Sequence, residues 1–399
     1  MFHGTPRRSE IKTPTHKVSE WVRRCQAINQ ERCQLRLPMA CRQSALDYLP
    51  PMNRHSIHDP AALEAARRHA GIEPEALRRW RAAFFRRHLE FAESLKILPA
   101  ESRDSFAEGL RHRFIERVGE VSSTQDRATK LAFRTDDGRV LEAVLMQTVS
   151  GRISLCVSSQ LGCACNCAFC ATGTLPFARN LTVDEMLDQV VQGARLAEGR
   201  LRNVVFMGMG EPLLNLGNVQ RAVADLISPH LFALAERRVL VSTCGLPDAM
   251  VELAGAFPGI GLGLSLHAAR QEVREQLMPI AERHHLRELR AALEAIAPVA
   301  KREVMVEVLL LDGVNDRPAD AAALVEFTHD LPVYINLLTY NPIPSRPDLR
   351  PAAEGSYRLF TERLEEAGHK VTRRYSHGSD IAAACGQLAA THSAPEAAL

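Results

Sequence analysis

The sequence predicts an α/β protein, an incomplete (β/α)6 barrel with a helical accessory domain on its N-terminal side. Two observations carry this prediction. From residue 153 onward, apolar β-type runs alternate with helical stretches, and such alternation calls for a parallel sheet with crossover helices. Ahead of them, residues 60–118 are rich in Ala, Leu, Arg and Glu, with apolar residues three and four apart. At 399 residues the chain can bury one large core and leave room for a smaller one.

The elements follow in order. Residues 1–55 read as a basic extension, with nine Lys/Arg against four acids over residues 1–51. A basic arm can tether nucleic acid. Its weak apolar periodicity suits disorder better, or a mis-annotated start with Met52 as initiator. Residues 56–125 form the helical accessory domain, with helices over Ala61–Arg68, Glu73–Glu93 and Ser102–Val118. Its many arginines make it a candidate RNA contact, although a solvated helix face explains them equally well. Residues 126–390 form the barrel. Strands at Ala128–Phe133 and Val140–Thr148 flank an Asp136-Asp137-Gly138 turn, and Ile153–Val157 opens the alternating series. Further strands fall at Val204–Met207, Val239–Ser242, Gly261–Leu266, Val304–Leu311, Ile335–Tyr340 and Lys370–Tyr375. Helices between them include Val183–Ala197, Leu286–Ala297, Ala319–Asp330 and Gly355–Ala367. Residues 391–399 read as a disordered tail.

Bulk composition narrows the class. Apolar content of 46% and charged content of 24% are ordinary for a soluble globular chain. No apolar run nears the roughly 18 residues that span a bilayer, and no secretory signal opens the chain, so the expected compartment is the cytoplasm. There thiols stay reduced, which argues against a disulfide framework for the ten cysteines. Five of them fall within residues 156–170, which points to a metal site.

Cys163, Cys167 and Cys170 have the spacing C-x3-C-x2-C in a loop directly after a strand. That spacing lets one short loop hold three irons of a 4Fe–4S cubane through thiolates. The fourth iron is left open, and S-adenosylmethionine can chelate it through its amino and carboxylate groups. A zinc site would ordinarily want a second Cys/His pair at similar spacing, and none lies nearby. Cys165 is an extra thiol in the loop and reads as a bystander.

Several motifs together are distinctive. They are Cys156 to Cys163 (Cys-Val-Ser-Ser-Gln-Leu-Gly-Cys), the cysteine loop, Ala171-Thr172-Gly173, Gly208 to Asn215 (Gly-Met-Gly-Glu-Pro-Leu-Leu-Asn) and Ala384-Cys385-Gly386-Gln387-Leu388. Across roughly residues 128–390 the chain resembles the RlmN/Cfr family of radical-SAM 23S rRNA adenine methyltransferases. The resemblance implies a radical-SAM barrel, a 4Fe–4S cluster, S-adenosylmethionine, a reducing donor protein such as flavodoxin, and an RNA substrate. It implies that Cys385 is first methylated by one S-adenosylmethionine. A second is cleaved to a 5′-deoxyadenosyl radical, which takes a hydrogen from that S-methyl group before addition to the adenine. Cys156 then attacks the Cys385 sulfur, leaving a transient disulfide. Glu142 matches the family's proton acceptor if a one-residue length difference before Cys156 is allowed; an exposed strand glutamate is the plain alternative.

For the cofactor, the resemblance assigns Gly210 and Glu211 to the methionyl ammonium. Ser242, the run Ser265-Leu266-His267, and Asn341 lie at strand ends, where a barrel's ligand face belongs. Cys244 stands where the family usually has serine. The target is expected to be an adenine of 23S rRNA, with tRNA and the choice of carbon 2 or carbon 8 open. Two rivals are another radical-SAM enzyme, on a different RNA or a non-RNA substrate, and a non-catalytic iron–sulfur or zinc RNA-binding protein. The Cys156/Cys385 pair disfavours the first, since such enzymes have no need of it.

Overall fold

The computed structural model describes residues 54–148, 150–374 and 376–389. The basic extension (all but its last two residues), the tail from residue 390 and Tyr375 lie outside the described residues. Ten strands form one sheet: β1 (Ile115–Ser122), β2 (Arg127–Thr135), β3 (Val140–Gln147), β4 (Ile153–Val157), β5 (Leu201–Phe206), β6 (Val239–Thr243), β7 (Gly261–Ser265), β8 (Val304–Leu310), β9 (Val333–Thr339) and β10 (Val371–Arg374). Their spatial order equals their chain order. β1 to β4 pair antiparallel as a meander, and β4 to β10 pair parallel. Six crossovers connect the parallel strands, and β4 is not paired with β10, so the barrel is incomplete as expected.

Burial explains the strand compositions. Every residue of β8 (Val-Met-Val-Glu-Val-Leu-Leu) is buried, which demands an almost continuous apolar run because helices cover parallel sheets. Glu307 is its single charge. The crossover helix Val183–Arg195 begins at a capping box: Thr182 Oγ1 accepts from the Glu185 N–H, and Glu185 Oε2 accepts from the Thr182 N–H at 2.8 Å. That pair satisfies two of the helix's orphan donors.

Two expected helices come out differently. The stretch Glu73–Glu93 breaks into Pro74–Arg81, a wide π-type turn Ala82–Arg86, and Phe91–Leu95 after His88 at φ 57. The wide turn lets adjacent Phe84 and Phe85 both bury against Trp80, with Phe84 and Phe85 edge to face at 4.9 Å. The stretch Ser102–Val118 is helical only over Arg103–Glu108. Gly109 follows, and Ile115–Ser122 is edge strand β1 instead, paired with β2. Its start is tied down by Asp188 Oδ2, which accepts from the Phe114 and Ile115 N–H groups at 2.7 and 3.0 Å. Apolar side chains of the helical segment, including Leu63, Trp80 and Phe106, belong to the same continuous core as β4 to β9. No described helix is long and apolar enough to cross a membrane.

Candidate active site

β4 ends at Cys156-Val157 and runs straight into the cysteine loop. Asn166 turns the loop between Cys163 and Cys167 in the left-handed region (φ 49), which asparagine tolerates better than most residues. The Ala168 N–H donates to the Leu277 carbonyl at 2.8 Å, and the Cys170 N–H to the Cys167 carbonyl at 3.1 Å. Cys163, Cys167 and Cys170 are half-buried free thiols on the wall of one cavity of about 1380 Å³, open mouth included. Three unbonded sulfurs from one loop, converging on one space, fit the 4Fe–4S ligand set.

The cofactor candidates meet on the same wall. Gly210 has φ +95, and a Cβ there would lie 2.4 Å from the Gln160 side chain, so only glycine fits this approach. Next to it, Glu211 is 4% exposed. Its Oε2 accepts from the Cys244 N–H at 2.7 Å and its Oε1 from the Leu213 N–H at 2.9 Å. Burial pushes this carboxyl above its ordinary range, with the two amides opposing, so an ammonium group docking there would relieve an incompletely balanced charge. Ser242 and Ser265, at the ends of β6 and β7, both donate to Glu307 Oε2, at 2.8 and 3.2 Å. His267 Nδ1 accepts from the Leu309 N–H at 3.1 Å, which puts any ring proton on Nε2. Burial, aided by Arg274, lowers its pKa to about 3, so the ring is neutral.

The second pair of cysteines reaches this cavity from both sides of the barrel opening. Cys156 comes from β4, and Cys385 from the segment after β10; both line the cavity with the three loop thiols. Cys156 is buried and Cys385 exposed. Burial pushes the Cys156 thiol up to about 12, with Cys385 adding and Arg374 opposing. The Cys385 segment is well held. Asn341 Nδ2 donates to the Cys385 carbonyl at 3.1 Å, Thr172 Oγ1 to the Leu388 carbonyl at 2.6 Å, and the Ala171 N–H to the Gly386 carbonyl at 2.6 Å.

Residues 157–325 match the radical SAM superfamily. The chain is 41% identical over 329 residues to a probable RNA methyltransferase of Rhodopirellula baltica, covering 82% of this chain and 85% of that one. It is 41% identical over 269 residues to the dual-specificity RNA methyltransferase RlmN of Syntrophobacter fumaroxidans, covering 67% and 78%. The chain belongs to the RlmN-type radical SAM RNA methyltransferases. A radical SAM methyltransferase from Sphaerobacter thermophilus superposes with a TM-score of 0.77 at 36% identity, covering 85% of this chain and all of that one. As a member of this enzyme family the chain uses a 4Fe–4S cluster and S-adenosylmethionine.

Within this radical SAM RNA methyltransferase, most sequence-predicted residues line the one cavity, and two do not. Leu266 is fully buried; its N–H donates to the Glu307 carbonyl at 3.0 Å, and its own carbonyl accepts from Arg274. Glu142 is fully buried rather than exposed, behind the wall, where its Oε2 accepts from the Ala389 N–H at 3.0 Å and its Oε1 lies 3.4 Å from Lys130 Nζ. Sequence reading gave neither Glu307 nor Arg374 a place in the site. Both line the cavity, 3.9 Å apart, and Glu307 Oε1 has no hydrogen-bond partner among the described residues. A signal existed for Glu307, since a lone carboxylate inside an apolar run is costly to bury without a purpose. The arginines of the helical segment are mostly spoken for. Arg67 and Arg68 pair with Glu64, Arg78 with Glu75, Arg111 with Asp136 and Arg117 with Glu120.

Proposed function

We propose that this enzyme methylates an adenine ring carbon, carbon 2 or carbon 8, of 23S rRNA, with tRNA as a second substrate, through a methylated Cys385. The observation that carries this reading is that Cys156, Cys385 and the three cluster thiols share one cavity. The carbons of an adenine amidine are electron-poor, so polar transfer of a methyl cation to them is unfavourable; a carbon radical escapes that limit. When bound, the cluster and S-adenosylmethionine supply radical chemistry to the site, and the chain supplies placement. Cys385, at the exposed end, carries the methyl group as a thioether, held in position by Asn341 through its carbonyl. Cys156 stays protonated in its buried place until it attacks the Cys385 sulfur, which frees the product and leaves a disulfide. Glu142 accepts the ring proton once Ala389, whose N–H it binds, shifts away.

The target base has to leave its stack, because stacking hides the ring carbons. The relatives' description as dual-specificity enzymes supports two RNA substrates. Exposed Arg79, Arg87 and Arg113 in the accessory segment 56–125 are the arginines left for phosphate contact. A low-potential donor such as flavodoxin, in the cytoplasm, would supply electrons. The experiment is mass spectrometry of RNA incubated with reduced enzyme and methyl-deuterated S-adenosylmethionine. The methylated-cysteine route places CD2H on the adenine, and intact CD3 overturns it. Cys156→Ala is expected to trap an RNA adduct on Cys385; release of free product at the normal rate would contradict its role.

A further inference from the structure

We propose that Cys165, Cys244 and Glu211 form a binding site for a thiophilic divalent cation of the zinc type, distinct from the three cluster thiols. Cys165 comes from the loop after β4 and Cys244 from the end of β6, and their Sγ atoms lie 3.4 Å apart. Both side chains are buried, yet both line the cavity, so a cation can arrive and keep an open coordination position. With a Glu211 carboxylate oxygen, the three donor atoms all fall within 4.8 Å of one another.

The donor set suits the metal. At a Zn–S length of about 2.3 Å, tetrahedral geometry puts two thiolate sulfurs about 3.8 Å apart, so the observed pair needs to open by only tenths of an ångström. Sulfur donors favour zinc over magnesium or calcium, which prefer all-oxygen shells. The outer contacts are already in place: the Cys244 N–H donates to Glu211 Oε2, and Arg274 donates to the Cys244 carbonyl. Such second-layer contacts orient ligands. On binding, each thiol passes its proton to solvent as its sulfur takes up the metal, and no electron is transferred. Neither thiol is one of the three cluster ligands, although Cys165 lies in their loop beside Cys163, and neither enters the Cys156/Cys385 chemistry. The site shares Glu211 with the methionyl ammonium, a consequence that rests on the proposed function, so cation and cofactor exclude one another.

The test uses the full chain with its cluster reconstituted anaerobically. Zinc is added, free metal is removed by gel filtration, and zinc and iron are counted by mass spectrometry. Wild type is expected to retain one zinc per chain with its iron unchanged. Cys165→Ser and Cys244→Ser are each expected to weaken zinc binding by about tenfold or more while keeping their iron. Equal zinc binding in both variants, or zinc uptake matched by iron loss, overturns the site. Saturating S-adenosylmethionine is expected to suppress zinc uptake by wild type. Uptake lost in the variants but indifferent to S-adenosylmethionine overturns the shared use of Glu211 and leaves the metal site standing.

Discussion

At the scale of single residues, the two thiols of the proposed methyl-transfer pair differ because their surroundings differ. Cys156 sits on a buried strand, where burial pushes its thiol up, and Cys385 sits on an exposed turn. A thiol pushed up to about 12 is ionised to only about one part in ten thousand at pH 8. In a Cys385→Ala protein, alkylation of Cys156 by iodoacetamide, followed by peptide mapping, is therefore expected to be very slow at pH 8. The rate should still climb between pH 9 and 10. Among the described residues, Arg374 is the cation that stabilises this thiolate, so Arg374→Gln is expected to slow the reaction further at every pH. A rate that levels off near pH 9, or that rises on loss of Arg374, would contradict this description. Glu307 and Arg374 also mark where residue-level reading runs out. The lone carboxylate in β8 was visible in the sequence as an anomaly, but its grouping with Ser242, Ser265 and Arg374 draws on four separate strands. Nor could anything in the chain announce that Cys165 meets Cys244, 79 positions away.

At the scale of elements, one buried ion pair ties the meander to the segment that bears Cys385. Lys130 on β2 and Glu142 on β3 are diagonal neighbours whose side chains come within 3.4 Å, and between them they reach the Ala382 carbonyl (3.4 Å) and the Ala389 N–H (3.0 Å). Removing one partner of a buried ion pair costs about 3–5 kcal/mol where the pair is well formed. Lys130→Met is accordingly expected to lower the melting temperature and to speed hydrogen exchange across residues 382–389. Unchanged exchange there would show that the pair does not hold the segment. The parallel strands and the crossover helices Val183–Arg195, Leu286–Ile296, Pro318–Thr328 and Glu354–Glu366 were readable because each carries its own apolar period and turn residues. β1 was not. Only Ile115 along it is buried, so it lacks the alternation that reveals a strand, and its pairing with β2 decides the matter. The break in the Glu73–Glu93 helix escaped for a related reason: aromatic packing of Trp80, Phe84 and Phe85 overrides a sequence whose local preference is continuous helix.

At the scale of the whole molecule, helical segment and barrel share one apolar core, which ought to melt as a unit. Phe84 is fully buried against Trp80, Phe85 and Phe91. Phe84→Ala should cost about 3–5 kcal/mol and shift a single transition. A separate early transition of the helical part would show instead that it folds on its own. Above this scaffold every parallel strand contributes to one cavity, and the three-cysteine loop defines the chemistry that cavity can hold. The most direct test of that claim is the electron paramagnetic resonance spectrum of the anaerobically reconstituted, reduced protein before and after S-adenosylmethionine is added. A 4Fe–4S signal that changes on addition and is lost in Cys167→Ala is the expected result. A protein with no such cluster, or with one whose spectrum ignores S-adenosylmethionine, would contradict the account.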